Sequence, residues 1–168
     1  MKKAIIIGCP GSGKSTFGRR LKQITGLPLY HLDMMYWNED RTTVSKEVFL
    51  NRLKAVMNQP SWIIDGNYGS TMEMRMKECD TVFFLDYPTD VCIEGIEARK
   101  GKPRSDMPWI NNDGTDKDFV AFVKNYNRES RPKVMNLLER YASKNIILFR
   151  TRTESEQYLL LLEKKGKE

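Results

Sequence analysis

A single histidine, His31, and three cysteines, Cys9, Cys79 and Cys92, are all the imidazole and thiol metal ligands in 168 residues. One histidine argues against a His-based zinc site, and the thiols show neither metal-ligand spacing nor an even count for pairing. Thiols of this kind fit a reducing compartment, so a cytoplasmic protein is expected. Long apolar runs are lacking too: none approaches the roughly 20 residues of a membrane-spanning helix. The start Met1-Lys2-Lys3-Ala4-Ile5 is basic and then apolar, but it runs into Gly8-Cys9-Pro10-Gly11 without a small-residue cleavage site. It therefore reads as a first strand and not as a secretory signal. Repeats, linkers and low-complexity tracts are absent, so residues 1–168 are expected to form one domain, long enough to bury a core.

What is present is ordinary for a globular protein: 40% hydrophobic and 30% charged residues. An excess of 28 Lys and Arg over 22 Asp and Glu gives a net charge of +6. That suits a polyanion, whether nucleic acid or a nucleoside triphosphate, and equally a solvated surface with the charged tail Glu163 to Glu168. Charge alone does not choose.

Apolar runs bounded by turn residues alternate with helical stretches, which points to βαβ units and a parallel sheet. Strands are expected at Ala4 to Ile7, Pro28 to Leu32, Trp62 to Asp65, Thr81 to Leu85 and Asn145 to Phe149. A first helix runs from Lys14 to Ile24 and is closed by Gly26 and Pro28. Val48, Phe49, Leu53, Val56 and Met57 fall on one face of a second, stopped by Pro60. Met72 to Lys77 alternates like a strand, but Ser70 with Glu73 reads as a capping box, so a helix is expected there. Another starts at Val91 and ends near Arg99. From Lys100 to Asp116 the apolar pattern is lost among Gly, Pro and Asn, and so long a loop is usually functional or disordered. Helical spacing resumes at Phe119, with a break or kink at Pro132. Thr153 and Glu156 are expected to cap a last helix through Leu162.

The chemistry lies in Gly8-Cys9-Pro10-Gly11-Ser12-Gly13-Lys14-Ser15, which meets G-x-x-x-x-G-K-[ST] at every fixed position. It follows an apolar strand and opens a helix, the context that gives the pattern its meaning. Glycines let consecutive N–H groups turn inward onto phosphate oxygens, and the helix start adds partial positive charge. Gly8, Gly11, Ser12, Gly13, Lys14, Ser15 and Thr16 are thus expected to bind ATP. Lys14 would reach the β- and γ-phosphates, and the Ser15 hydroxyl would ligate Mg²⁺. Cys9, beside those N–H groups, is expected to be the most reactive thiol if exposed, and shielded by ATP–Mg²⁺. A second carboxylate should end a neighbouring strand and help hold Mg²⁺. Asp65 and Asp86 both qualify by spacing.

Together with the P-loop, Leu32-Asp33, Trp62-Ile63-Ile64-Asp65-Gly66-Asn67-Tyr68, Phe84-Leu85-Asp86-Tyr87-Pro88 and Arg99 through Asp106 give the chain its resemblance to a family. It resembles the adenylate-kinase-like proteins called DNA topology modulation (FlaR-type) proteins over nearly its whole length. More distantly it is similar to nucleoside monophosphate, shikimate and gluconate kinases. The resemblance implies an α/β doubly wound fold, a five-stranded parallel sheet ordered 2-3-1-4-5 with a mobile lid near residues 100–116. It favours Asp65 over Asp86 for the Mg²⁺ site. It also implies that Asp33, ending the second strand, orients or deprotonates the acceptor hydroxyl, and that Arg99 and Arg104 act as lid arginines on the transferring phosphoryl group.

His31 reads as a core or strand residue. Arg128 and Arg131 lie where relatives also use arginine. The Asp-Gly-Phe-Pro-Arg usual in adenylate kinases is Asp65-Gly66-Asn67-Tyr68-Gly69 here, so the arginine for an acceptor phosphate is missing; Arg41 or Arg75 are the candidates to replace it. The reading is a P-loop kinase moving the γ-phosphoryl group of ATP onto a small, nucleotide-like acceptor. Its rivals are a kinase of a non-nucleotide hydroxylated metabolite and a nucleotide-regulated, DNA-associated protein. Neither a helix-turn-helix nor a zinc module supports the last.

Overall fold

Ala4 to Ile7 are four consecutive apolar residues, a pattern that can be buried only where both faces of a strand are covered. A computed structural model, which describes residues 1–109 and 117–166, places them in that position. Strand β1 (Lys3–Gly8) is central, flanked by β3 (Trp62–Asp65) and β4 (Thr81–Leu85), with β2 (Leu29–His31) and β5 (Asn145–Phe149) outside them. All pairings are parallel and the order is β2-β3-β1-β4-β5, as the resemblance implied. Alternate residues of each strand feed two separate cores. Ile5, Ile7, Ile64, Val82 and Phe84 pack to one side, while Ala4, Ile6, Ile63, Phe83 and Leu85 pack to the other.

The first core is covered by α2 (Leu32–Tyr36), α3 (Lys46–Met57), α4 (Gly69–Glu78) and α7 (Arg131–Arg140). The second lies under α1 (Lys14–Thr25), α5 (Thr89–Glu97), α6 (Lys117–Glu129) and α8 (Arg152–Lys165). No helix among the described residues is long and apolar enough to cross a membrane.

Several expectations need correction. The second strand stops at His31, and Leu32 onward forms a short helix whose Leu32 and Met35 are buried, so Asp33 is helical and does not end a strand. Val48 faces solvent, outside the apolar stripe of α3. Met72 to Lys77 is helical as read, but not through a capping box. Tyr68 precedes α4 in a left-handed conformation without a side-chain cap, and Glu73 instead accepts hydrogen bonds from Arg140 and Tyr141. The cap of α8 is Thr151, accepting from the Glu154 N–H, two residues before the expected pair. Pro132 does break the helix: Ser130 separates α6 from α7, and the proline sits in the first turn of α7, where its missing N–H costs nothing. Of the expected lid, residues 110–116 lie outside the described residues.

Candidate active site

Parallel strands place their C-terminal ends together, and the register brings Gly8, His31 and Asp65 to one edge of the sheet. His31 pairs with Asp65, and Asp65 with Ile6. Clefts at this edge are the usual ligand sites of open α/β sheets. Here a cavity of about 880 Å³ opens, lined by P-loop residues, Asp33, Asp65 and the segment from Ala98 to Met107.

The P-loop folds tightly onto α5. Gly11 has φ +85°, and a Cβ there would lie 2.0 Å from the Cys92 carbonyl oxygen; a Cβ on Gly95 would lie 2.0 Å from the Gly11 carbonyl oxygen. Only glycine at both positions allows this approach. We expect Gly95→Ala to force the loop off α5, at a stability cost of about 1–3 kcal/mol and with ATP affinity reduced. Thermal melting and calorimetric ATP titration check this, and unchanged values in both would remove the approach as a determinant of the loop's shape.

Lys14 donates through Nζ to the carbonyls of Gly8 and Cys9, at 3.0 and 3.1 Å, so its charge is held over the cradle. Burial pulls its pKa below the ordinary lysine range, with the Asp65 charge opposing. The Ser12 hydroxyl is buried without a hydrogen-bond partner among the described residues, and Ser12 is not one of the residues lining the cavity. Thr16 lines the cavity and accepts from Arg19 at 3.1 Å. Cys9 departs from expectation. It is buried, and its hydrogen bond with Cys92 together with desolvation pushes the thiol up, so it turns away from nucleophilic chemistry.

Of the two carboxylates, Asp65 is the one at the site: its Oδ2 accepts from the Ser15 hydroxyl at 2.8 Å. Asp86 is engaged elsewhere, gripped by both arms of Arg131 at 2.8 Å and also by Arg150. That bond raises the Arg131 pKa and ties this arginine to Asp86. Arg128 is bonded to Asn125 and Glu129 on its own exposed face. Arg75 is fully buried, donating to the carbonyls of Gly66, Asn67 and Tyr68; burial lowers it to about 10. It is a strut for the loop after β3. Arg41, on an exposed turn with φ +68°, does not line the cavity.

Asp33 lines the cavity with Lys14, and its Oδ1 accepts from the Tyr68 hydroxyl at 2.7 Å. Burial raises its pKa, the Tyr68 bond opposes, and the Asp65 charge raises it further. Arg99 also lines the cavity, lowered to about 10 by burial and by neighbouring Arg104, with Asp106 and Asp33 opposing. Arg104 donates to Asp106 through Nε at 3.1 Å and through its terminal nitrogen at 2.5 Å. Far from being loosely held, this part of the segment is anchored. Asp106 is 4% exposed and its Oδ2 lies 2.7 Å from the Ser15 hydroxyl. Burial would raise that carboxyl, but bonds from Arg104 and Ser15 outweigh it and hold the group well below the carboxylate range.

Three residues without an expected role join the site. His31 Nδ1 lies 2.8 Å from Asp65 Oδ2, so it faces the cavity and not the core. Asn67 brackets one P-loop residue, accepting from the Gly8 N–H at 3.1 Å and donating to the Gly8 carbonyl at 2.6 Å. Asp106 approaches Ser15 from 91 residues away.

Ser15 and Asp65 offer hard oxygen donors, and Asp65 Oδ1 is buried without a partner among the described residues, which fits a magnesium ion. Among the described residues no group of three or more His, Cys, Asp or Glu could hold a metal.

No family model matches the chain. It is 46% identical to the shikimate kinase of Rhodococcus jostii (strain RHA1) over 48 residues, 29% of this chain and 28% of that protein. It is 29% identical to the adenylate kinase of Thermotoga petrophila over 94 residues, 54% of this chain and 42% of that protein. The chain thus spans less than half the length of these curated relatives. Among solved structures, the shikimate kinase from Acinetobacter baumannii in complex with shikimate matches with a TM-score of 0.64 at 14% identity, covering 98% of this chain and 94% of that one. Strand order and this match define a P-loop kinase fold. The relatives named are kinases, and the link to DNA topology modulation proteins remains a likeness of sequence segments.

Proposed function

We propose that this chain is an ATP-dependent phosphotransferase that moves the γ-phosphoryl group of ATP onto a hydroxyl of a small, nucleotide-like acceptor. The observation that carries this reading is one cavity lined both by P-loop residues, Pro10, Gly11 and Gly13 to Thr16, and by Asp33. The similarity to shikimate and adenylate kinases supports the same chemistry.

In this reading the P-loop N–H groups and Lys14 bind the β- and γ-phosphates. Ser15 and Asp65 would hold Mg²⁺, which when bound neutralises phosphate charge and steadies the triphosphate. Asn67 keeps Gly8 aimed, and Arg75 keeps Asn67 in place. Asp33 orients the acceptor hydroxyl and takes its proton as the oxygen attacks the γ-phosphorus. The bond from that phosphorus to the β–γ bridging oxygen breaks, and ADP leaves with the electron pair. Arg99 and Arg104 stabilise charge on the transferring oxygens, a role suited to planar, permanently charged groups.

An ADP-release screen over nucleosides, nucleoside monophosphates and hydroxylated metabolites tests this. ADP release that depends on one acceptor is expected; release that no acceptor changes, or none at all, would contradict it.

A further inference from the structure

Ser15 meets two carboxylates at once. Its hydroxyl lies 2.8 Å from Asp65 Oδ2 and 2.7 Å from Asp106 Oδ2, and both aspartates are only 4% exposed. A hydroxyl carries one hydrogen, so it can donate to one of these oxygens, and its other contact is oxygen against oxygen. Two buried carboxylates that share one hydroxyl repel each other unless a positive charge lies among them. Asp65 Oδ1 adds an independent deficit, being buried with no partner among the described residues. The spacing suits a small, hard cation. With metal–oxygen bonds of about 2.1 Å, neighbouring ligands of an octahedral magnesium ion lie about 2.9 Å apart.

Asp106 belongs to the segment after α5, and that segment is pinned to the start of α1. Arg104 grips both Asp106 oxygens, through Nε at 3.1 Å and its terminal nitrogen at 2.5 Å. Arg19, on α1, donates to the Ser105 hydroxyl at 3.2 Å and to the Thr16 hydroxyl at 3.1 Å, which ties the residue before Asp106 to the first turn of α1. The carboxylate is therefore aimed at Ser15 before any ligand arrives, and an oriented ligand binds without a reordering cost. Arg104 also takes up part of the Asp106 charge. The three oxygens alone then hold a cation weakly, and phosphate oxygens are needed to complete the site.

We propose that Asp106 is a third protein ligand of the magnesium ion, beside Ser15 and Asp65, so that metal and nucleotide together clamp the segment after α5 onto the P-loop. The inference rests on the ATP–Mg²⁺ half of the phosphotransferase reading and needs no acceptor. Two aspartates and one hydroxyl supply three oxygens, and phosphate and water supply the rest. The rival account makes Asp106 a latch on Ser15 that has to leave before the metal enters. The two differ in sign: loss of a ligand weakens metal binding, whereas loss of a latch tightens it.

The test uses Mn²⁺ in place of Mg²⁺, titrated by its electron paramagnetic resonance signal into the whole protein carrying ADP, with ADP affinity measured separately by calorimetry in chelator. Asp106→Asn, which keeps the shape and removes the charge, is expected to weaken Mn²⁺ binding about tenfold or more and not to weaken ADP binding in chelator. A second measurement needs no variant. In wild-type protein labelled with ¹³C at its aspartate carboxyls, bound Mn²⁺ is expected to show hyperfine coupling to two carboxyl carbons. Unchanged or tighter Mn²⁺ binding in a variant that melts like wild type, or coupling to a single carbon, overturns the inference and leaves the ATP site standing. Failure of the wild-type protein to bind ADP removes both.

Discussion

Lys14→Ala is expected to give a folded protein whose ATP turnover is lower by at least about a hundredfold, near 2.7 kcal/mol of lost transition-state stabilisation. The ammonium already sits between the Gly8 and Cys9 carbonyls, so little rearrangement separates this position from the phosphates. Its charge is poorly solvated, and an interaction formed there strengthens as negative charge shifts onto the leaving oxygen. The ammonium has two carbonyls of the same loop, Gly8 and Cys9, as its hydrogen-bond partners, so melting should change little. ADP release measured beside a thermal melt decides the matter. Wild-type turnover in a variant that melts normally would remove this loop as the active centre.

The second large effect separates the two carboxylates by role. Asp33→Asn is expected to slow transfer by about a hundredfold or more, the usual weight of a general base, while ATP affinity stays near wild type. Asp65→Asn should instead raise the Mg²⁺ concentration needed for turnover, because it removes a charge bonded to Ser15. Proton linkage adds an independent reading. Burial raises the Asp33 pKa above the ordinary carboxyl value, so this group holds its proton to a higher pH than an exposed aspartate. As a base it must be ionised, so turnover should fall as pH drops through that raised value. The same acid limb should vanish in Asp33→Asn, leaving a slow rate that is flat over that range. If Asp33→Asn weakened ATP–Mg²⁺ binding while Asp65→Asn left it intact, the two roles would be exchanged.

What the sequence made legible is what short-range spacing encodes. The P-loop is a contiguous octapeptide, four of the strands are contiguous apolar runs, and these stand where they were read. Sheet order is a long-range property and came through the family likeness. The site's other members are joined over distances that no spacing rule covers: Asn67 to Gly8 across 59 residues, Tyr68 to Asp33 across 35, Asp106 to Ser15 across 91. The short α2 was the nearest miss. Leu32 and Met35 stand three apart, a helical spacing that becomes visible once the strand is ended at His31. The capping pairs failed for another reason. Ser70–Glu73 and Thr153–Glu156 have the right composition, but α4 already starts at Gly69 and Glu73 is taken by Arg140 and Tyr141, while Thr151 caps α8 before Thr153 is reached. Likewise Cys9 looked activated by its neighbours in sequence, whereas the close approach of α5 to the loop gives it Cys92 as a partner and buries it.

The most direct measurement is a ³¹P NMR time course of ATP and Mg²⁺ with the protein and a mixture of nucleosides, nucleoside monophosphates and hydroxylated metabolites. The account predicts that the γ-phosphate resonance decays with a matching rise of ADP signals and of a new phosphomonoester, and that both are absent with Lys14→Ala. Unchanged ATP, or decay into inorganic phosphate alone, would contradict the claim that this cavity passes a phosphoryl group from the P-loop to a hydroxyl held by Asp33.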